Sequence, residues 1–282
     1  MKYLLIISTF LFFNTIFSQE GDIQKSIADL KVKISNSQEG EKLKWMDSLS
    51  NFIAYDTNFE NDSIVQATID YAVTLDSINI AVWHTANIIY YFNNIKGEPK
   101  KSKTVILNSH DRVQKVTDLD VLSKYYSEAG NTYYYLNEFE NSLQLYDTAY
   151  YYAVENKNTK FIGLILEYQG HVYTDMGDFG KASLKLQEAI TIFRKEKDTS
   201  NIVGARNSLT ILYSKNGFYE EAKLERDIII KIEEKRKKYN NLPVLYYNAA
   251  ADYNKLGLQK ERLINLEKAL TSARLSKFVG YY

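Results

Sequence analysis

Cysteine is absent from this chain of 282 residues. Its absence excludes disulfide bridges, thiolate zinc sites and thiol-based catalysis together. Proline is scarce as well, with two residues, and only 12 glycines are present. A β-sandwich or β-barrel with many tight turns normally uses more of both residue types, so a helical fold is favoured.

An excess of charge of either sign is also missing. The 35 basic residues balance 35 acidic residues, and the formal net charge is zero. A neutral chain has no general electrostatic attraction to nucleic acid, and we predict no nucleic-acid partner. The basic run at residues 235–238 does not change this prediction, because basic residues complement the C-terminal end of a helix.

Long hydrophobic runs are missing downstream of the N-terminus. Met1 and Lys2 give a positive start, residues 3–17 are mostly apolar but broken by polar residues, and Ser18 precedes a polar sequence. This layout predicts a secretory signal peptide over residues 1–18, cleaved after Ser18. The alternative is a retained membrane anchor, although a span needs about 20 apolar residues. We therefore expect an exported protein, periplasmic or secreted, with no membrane span in the mature chain.

The sequence does contain a long repeat, whose period is the step from Tyr133 to Tyr173. A tyrosine, a glycine and an alanine each recur with this 40-residue step, and all three ladders share one register, which indicates a repeat architecture. Asn137 occupies the glycine position of the first period, and Ile229 fills a gap in the alanine ladder. The ladders are Tyr133, Tyr173, Tyr213 and Tyr253; Gly177, Gly217 and Gly257; and Ala149, Ala189 and Ala269.

Each period is predicted to form two amphipathic helices. Leu166, Gly170 and Tyr173 follow one another at steps of three and four residues, which places them on one helix face. Gly177 then ends the first helix, because glycine tolerates a left-handed conformation. The helical spacing resumes downstream at Ala182.

This pattern resembles the tetratricopeptide repeat family, and with the signal peptide it resembles an exported bacterial member with long repeats. The resemblance covers about Leu122 to Leu275 and implies an all-α fold, a right-handed superhelical solenoid of antiparallel helix pairs. The typical period is about 34 residues, so HEAT and armadillo repeats, which are longer, are the alternative. The residues that carry the resemblance most clearly are Gly170, Tyr173, Gly177, Phe179, Ala182 and Ala189.

The domain organisation follows from where the repeat register holds. Upstream of the ladders the register decays, and the alternative there is a separate helical N-terminal domain. We expect about six helix pairs between Glu41 and Ala273. The predicted segments are a signal peptide (1–18), a lead-in or capping helix (19–40), two degenerate repeats (41–116), four regular repeats (117–276) and the start of a further, truncated repeat (277–282).

Signatures of catalysis are missing from the sequence. The three histidines His84, His110 and His171 do not lie at metal-ligand spacing, and no phosphate-binding glycine loop or nucleophile elbow occurs. We predict no catalytic residue, no metal site and no cofactor.

In the family that this chain resembles, the first helices line a concave groove that takes up peptides or extended protein segments. Aromatic rings there provide contact area, and amides satisfy a peptide backbone. The alternative is that the same residues are ordinary solvated positions of a scaffold. The groove candidates, carried over by register, are Asn131, Tyr134, Tyr135, Glu167, His171, Asp175, Asn207, Lys215, Tyr247, Asn254 and Lys255.

The function that these features favour is a non-enzymatic scaffold of the bacterial envelope that binds a protein or peptide in its groove. The alternative is a sensory repeat region of a membrane-anchored signalling protein or transcription regulator. That alternative is based on residues 278–282, which look like the start of another helix.

Overall fold

The computed structural model describes residues 23–54, 62–238 and 240–279. These residues contain helices and no β-strand, which confirms the all-α prediction. The predicted signal peptide over residues 1–18 lies outside the described residues. The helices are α1 (23–36), α2 (Glu39–Ile53), α3 (Asp62–Thr74), α4 (Ile78–Tyr90), α5 (Pro99–Val113), α6 (Leu119–Tyr135), α7 (Phe139–Glu155), α8 (Thr159–Met176), α9 (Phe179–Lys195), α10 (Thr199–Lys215), α11 (Tyr219–Lys235), α12 (Leu242–Lys255) and α13 (Gln259–Val279).

The helices form two compact units, which are described separately. One unit comprises residues 24–172, and the other comprises the described residues from Tyr173 onward. The boundary falls inside α8, so the regular repeats contribute to both units.

The turn between the two helices of a regular repeat has the same geometry each time. One residue adopts a left-handed conformation, and the next amide donates to the carbonyl of the ladder tyrosine, as from Glu138 N to Tyr133 O at 2.9 Å. This is the Schellman arrangement that ends many helices. It explains why the tyrosine and glycine ladders share one period. The left-handed residues are Asn137 (φ 59°), Gly177 (φ 78°), Gly217 (φ 79°) and Gly257 (φ 74°).

A second left-handed turn follows the second helix of a repeat and was not predicted from the sequence. Lys157, Lys197 and Lys237 have φ angles of 56°, 56° and 57°. The amide after each lysine donates to a carbonyl five residues earlier, as from Asn158 to Ala153 at 2.9 Å. Both turns thus recur with the period of the ladders, and together they set the length of the repeat.

The left-handed ladder begins one repeat earlier than the sequence analysis placed it. Gly97 precedes Asn137 by one full repeat period and has a φ angle of 65°. Here α4 continues into a π-helical turn, Tyr91–Ile95, and the Glu98 amide donates to the Phe92 carbonyl, six residues earlier. The extra residue in this turn shifts the side chains before Gly97 out of the tyrosine register.

Close packing within a repeat depends on small residues. A Cβ atom on Gly130 of α6 would lie 2.7 Å from two ring carbons of Tyr146 in α7. The hydroxyl of Ser142 donates to the Gly130 carbonyl at 2.9 Å, and Ala149 is fully buried on the same helix. Gly130 therefore serves close approach between the helices and not a turn.

The helix α13 is longer than its counterparts. It has 21 residues, whereas α7, α9 and α11 each have 17. It continues through residues 277–279, where the sequence analysis places the start of a further repeat, and residues 280–282 lie outside the described part.

Candidate binding surface

The helices α4, α6 and α8 bring polar and aromatic side chains together in the unit of residues 24–172. The Tyr135 hydroxyl donates to Oδ1 of Asn94 at 2.8 Å, and Tyr135 is 44% exposed. The ring of Tyr134 lies 5.6 Å from that of Tyr135, but it is half-buried and packs against Phe139 with ring centroids 6.2 Å apart. Of the two predicted groove tyrosines on α6, Tyr135 is thus the more accessible.

Asn131 uses both ends of its amide within the protein. Its Oδ1 accepts from the Tyr146 hydroxyl at 2.6 Å, and its Nδ2 donates to Oε2 of Glu128 at 3.1 Å. The predicted groove residue therefore positions Glu128, which the sequence analysis did not select.

Glu167 differs from its predicted exposure. It is only 8% exposed, because α8 buries residues on two faces, including Ile165 and Leu166. His171, one turn later, is partly exposed and has its Nε2 3.8 Å from Oε1 of Glu167. Its ring lies 6.4 Å from that of Tyr168.

Glu128 lies at the centre of this group, which we call the Glu128 cluster. Desolvation raises the pKa of the Glu128 carboxyl to about 7, although the Asn131 hydrogen bond and the charge of Lys124 oppose this shift. Desolvation raises the pKa of Tyr90, Tyr135, Tyr146 and Tyr168, and the Glu128 charge raises it further. Asn131 links Tyr146 to Glu128, and the Tyr146 ring lies 5.8 Å from that of Tyr168. The cluster comprises Glu128, Asn131, Tyr90, Tyr135, Tyr146 and Tyr168.

A polar chain extends from this region through α4 to α2. The Lys124 ammonium donates to Oδ1 of Asn87 at 2.5 Å and lies 3.5 Å from the ring centroid of Trp83. Burial lowers the pKa of Lys124 to about 8. Asn87 Nδ2 lies 3.2 Å from Nδ1 of the fully buried His84, whose Nε2 is 2.7 Å from Oδ1 of Asp47. Because Asn87 donates to Nδ1, the network assigns the His84 proton to Nε2, which donates to Asp47.

From Tyr173 onward the candidate residues follow a different pattern. Lys215 donates to Asp175 at 2.7 Å, so these two predicted residues form an ion pair on the surface. Asn207 is half-buried on α10. Tyr247 is 63% exposed on α12, and Asn254 and Lys255 are exposed at the end of the same helix.

Buried charges in this second unit are paired with opposite charges. Nε of Arg226 donates to Oδ2 of Asp252 at 2.7 Å, and each side chain is 6% exposed. Arg206 contacts Glu225, and Arg236 donates to the buried Glu233 at 2.8 Å. These pairs satisfy the charges within the protein itself.

No helix among the described residues is both long and apolar enough to cross a membrane. No group of three or more histidine, aspartate or glutamate side chains among them is arranged to hold a metal ion.

No protein-family model matches this sequence, and no curated protein matches it significantly. Solved structures do match. The apo form of RapI aligns with a TM-score of 0.68 and 13% identity, over 95% of this chain and 98% of that chain. A Rap protein complexed with Competence and Sporulation Factor aligns with a TM-score of 0.61 and 14% identity, over 95% of this chain and 74% of that chain.

A third match names the repeat type. The nearly identical TPR-like repeats of a P. anserina protein described as a kinesin light chain align with a TM-score of 0.57 and 12% identity, over 68% of this chain and 94% of that chain. At these identities the likeness concerns the fold. The chain therefore has the fold of tetratricopeptide-like helical repeat proteins, which confirms the resemblance found in its sequence.

Proposed function

We propose that this chain is an exported, non-enzymatic scaffold that binds a protein or peptide segment on the surface formed by α4, α6 and α8. The observation that supports this proposal is the row of partly exposed rings and amides across three successive first helices. Tyr135, Asn94 and His171 reach solvent there, and the Glu128 cluster lies between them. Such a mixture gives contact area from rings and hydrogen bonds for a peptide backbone.

The structural comparisons support a binding role in a limited way. A Rap protein of similar fold has been seen complexed with Competence and Sporulation Factor. Fold likeness alone does not define a site, so the proposal depends on the residues of this chain.

The test is selection from a peptide display library with the full chain, followed by affinity measurements on the selected peptides. We expect Tyr135→Ala and His171→Ala to weaken binding about tenfold or more, because aromatic anchors dominate interface energies. Tyr151→Ala is the matched control, since Tyr151 is 58% exposed on α7 outside the Glu128 cluster. Equal affinities in all three variants would place the binding surface elsewhere, and failure to select any peptide would contradict the proposed function.

Export is tested by expression of the full gene in a bacterial host with fractionation. Cleavage after Ser18 gives a product whose N-terminal residue is Gln19 in the periplasm or medium. A product that retains Met1 in the membrane fraction would favour the anchor instead.

A further inference from the structure

Glu128 is a half-buried carboxylate on α6. Among the described residues, its side chain accepts one hydrogen bond, from Asn131, and forms no salt bridge. A desolvated charge normally requires an opposite charge and several hydrogen bonds. The carboxylate therefore has acceptor capacity that the described residues do not use, and part of the Glu128 residue surface is exposed.

Lys124 lies one helical turn before Glu128, but its ammonium is directed elsewhere. It donates to Asn87 and lies over the Trp83 ring. Its charge lowers the pKa of Glu128 less than desolvation raises it, and the carboxyl titrates near pH 7. Lys124 thus only partly compensates the carboxylate.

The contacts of Lys124 show how an ammonium group is held one helical turn from Glu128. An ammonium ion is held there by one amide oxygen and one aromatic face, which is how proteins often bind cations. One turn along α6, Glu128 offers a carboxylate oxygen to Asn131. Asn131 also accepts from the hydroxyl of Tyr146, whose ring lies 5.8 Å from that of Tyr168.

The π-helical turn Tyr91–Ile95 adds a local reason for this geometry. Turns of this kind occur often at functional sites. Here Asn93 Nδ2 donates to the Thr132 hydroxyl at 2.9 Å, and Asn94 accepts from Tyr135. The turn therefore fixes the end of α4 against α6 beside Glu128 and holds the exposed Tyr135 ring at the cluster.

We propose that the Glu128 cluster binds a cationic group, a primary ammonium or a guanidinium, against the Glu128 carboxylate and the surrounding tyrosine rings. The source of this cation, a lysine or arginine side chain of a bound peptide, rests on the proposed peptide-binding function. A free alkylamine has the same chemistry and is distinguished by the experiment.

The test uses the full chain and peptides from the selection described above, resynthesised with lysine, arginine, norleucine or glutamate at each position in turn. At one position the wild-type protein should prefer lysine or arginine to norleucine by about tenfold or more, the effect of a charge-assisted hydrogen bond. Glu128→Gln should remove this preference.

The matched control is Glu155→Gln, which removes an exposed carboxylate at the end of α7. It should retain the full preference for lysine. Tyr135→Leu should reduce the preference about threefold while the Glu128 charge stays, which tests the ring contribution independently if Glu128→Gln unfolds. A lysine preference that persists in Glu128→Gln would overturn the assignment of the cation to this carboxylate.

Two outcomes separate this inference from the proposed function. If peptides bind but lysine and norleucine are equivalent at every position, the cation site is wrong and the peptide-binding function stands. If no peptide binds, spermidine and n-butylamine are titrated directly. Binding of these amines that is lost in Glu128→Gln and kept in Glu155→Gln would support the cation site without peptide binding, and no amine binding would overturn it.

Discussion

The two compact units differ in how they compensate the charges of Lys124 and Glu128 in one and of Arg226 and Asp252 in the other. In residues 24–172, the Lys124 ammonium donates to a neutral amide, and the Glu128 carboxylate accepts from another. In the unit from Tyr173 onward, the buried Arg226 and Asp252 face each other as an ion pair. Both units use the same turns and similar helix lengths. One repeat frame therefore supports either an ion pair between buried charges or the compensation of each charge by a neutral amide.

The largest effect is expected from breaking the ion pair between Arg226 and Asp252. Asp252→Ala leaves the Arg226 guanidinium buried without a counter-charge, which costs about 3–5 kcal/mol in free energy of unfolding. Replacing both partners by apolar residues, as in Arg226→Met with Asp252→Leu, should recover most of that loss. Urea denaturation of the two variants checks this prediction. A double variant no more stable than Asp252→Ala would show that the pair is needed for more than charge compensation.

A steric change in the first unit should have the next largest effect. Gly130→Ala places a methyl group 2.7 Å from the Tyr146 ring, and overpacking of this kind costs about 1–3 kcal/mol. Gly180→Ala is the control, because the nearest atom to its added Cβ would be Oδ1 of Asp178 at 3.8 Å. Thermal unfolding should show a lower Tm for the first variant and an unchanged or slightly higher Tm for the second.

The desolvated carboxyl of Glu128 predicts a stability that depends on pH. The pKa of Glu128 is raised in the folded state, so the folded carboxyl keeps its proton while the unfolded one loses it as pH increases from about 4.5 to about 7. The unfolding free energy of the wild type should therefore fall across this interval relative to Glu128→Gln. The pKa rise corresponds to about 3 kcal/mol for a fully desolvated carboxyl, and solvent screening of the half-buried Glu128 reduces the expected loss to about 1–2 kcal/mol. Parallel curves for the two proteins in denaturation at pH 5, 6, 7 and 8 would contradict it. The other ionisable groups near Glu128, present in both proteins, are Lys124, Tyr90, Tyr135, Tyr146, Tyr168, Glu167 and His171.

The smallest effect concerns the left-handed turns, which occur in both units. Lys157→Gly in one unit and Lys197→Gly in the other relieve a left-handed conformation that disfavours side chains, with a gain of about 0.5 kcal/mol each. Gly177→Ala introduces the same strain and should cost about 1 kcal/mol. Thermal unfolding of the three variants checks both signs. Equal gains in the two lysine variants would show that the turn has one energy throughout the array, and unequal gains would show that the flanking helices alter it.

The repeat frame could be predicted from the sequence because it depends on local backbone conformation. A glycine at a left-handed position and a tyrosine one turn before it are visible as ladders. The lysine turns were missed because a lysine in that conformation is not distinguished by its residue type. Gly97 was missed as a ladder member because the π-helical turn shifts the neighbouring side chains.

The candidate site could be predicted only in part because it depends on packing between helices. Register placed Asn131 and Tyr135 among the groove candidates of α6, and the structure brings them to one cluster. Register could not show that Glu167 is covered or that the Glu128 carboxyl is desolvated. Helices from neighbouring repeats create that environment, and the sequence around Glu128 does not indicate it.

The two left-handed turns also bear on how such a chain can change in length. Lys157, Lys197 and Lys237 share one backbone conformation, and each is followed by the same hydrogen bond. A recombination that joined the residue before one lysine to the lysine of another repeat would create a junction with a conformation already present in the protein. Whole repeat units are therefore the natural step by which this gene can grow or shrink, whereas the loss of a single residue inside a helix would put its two flanking turns out of register.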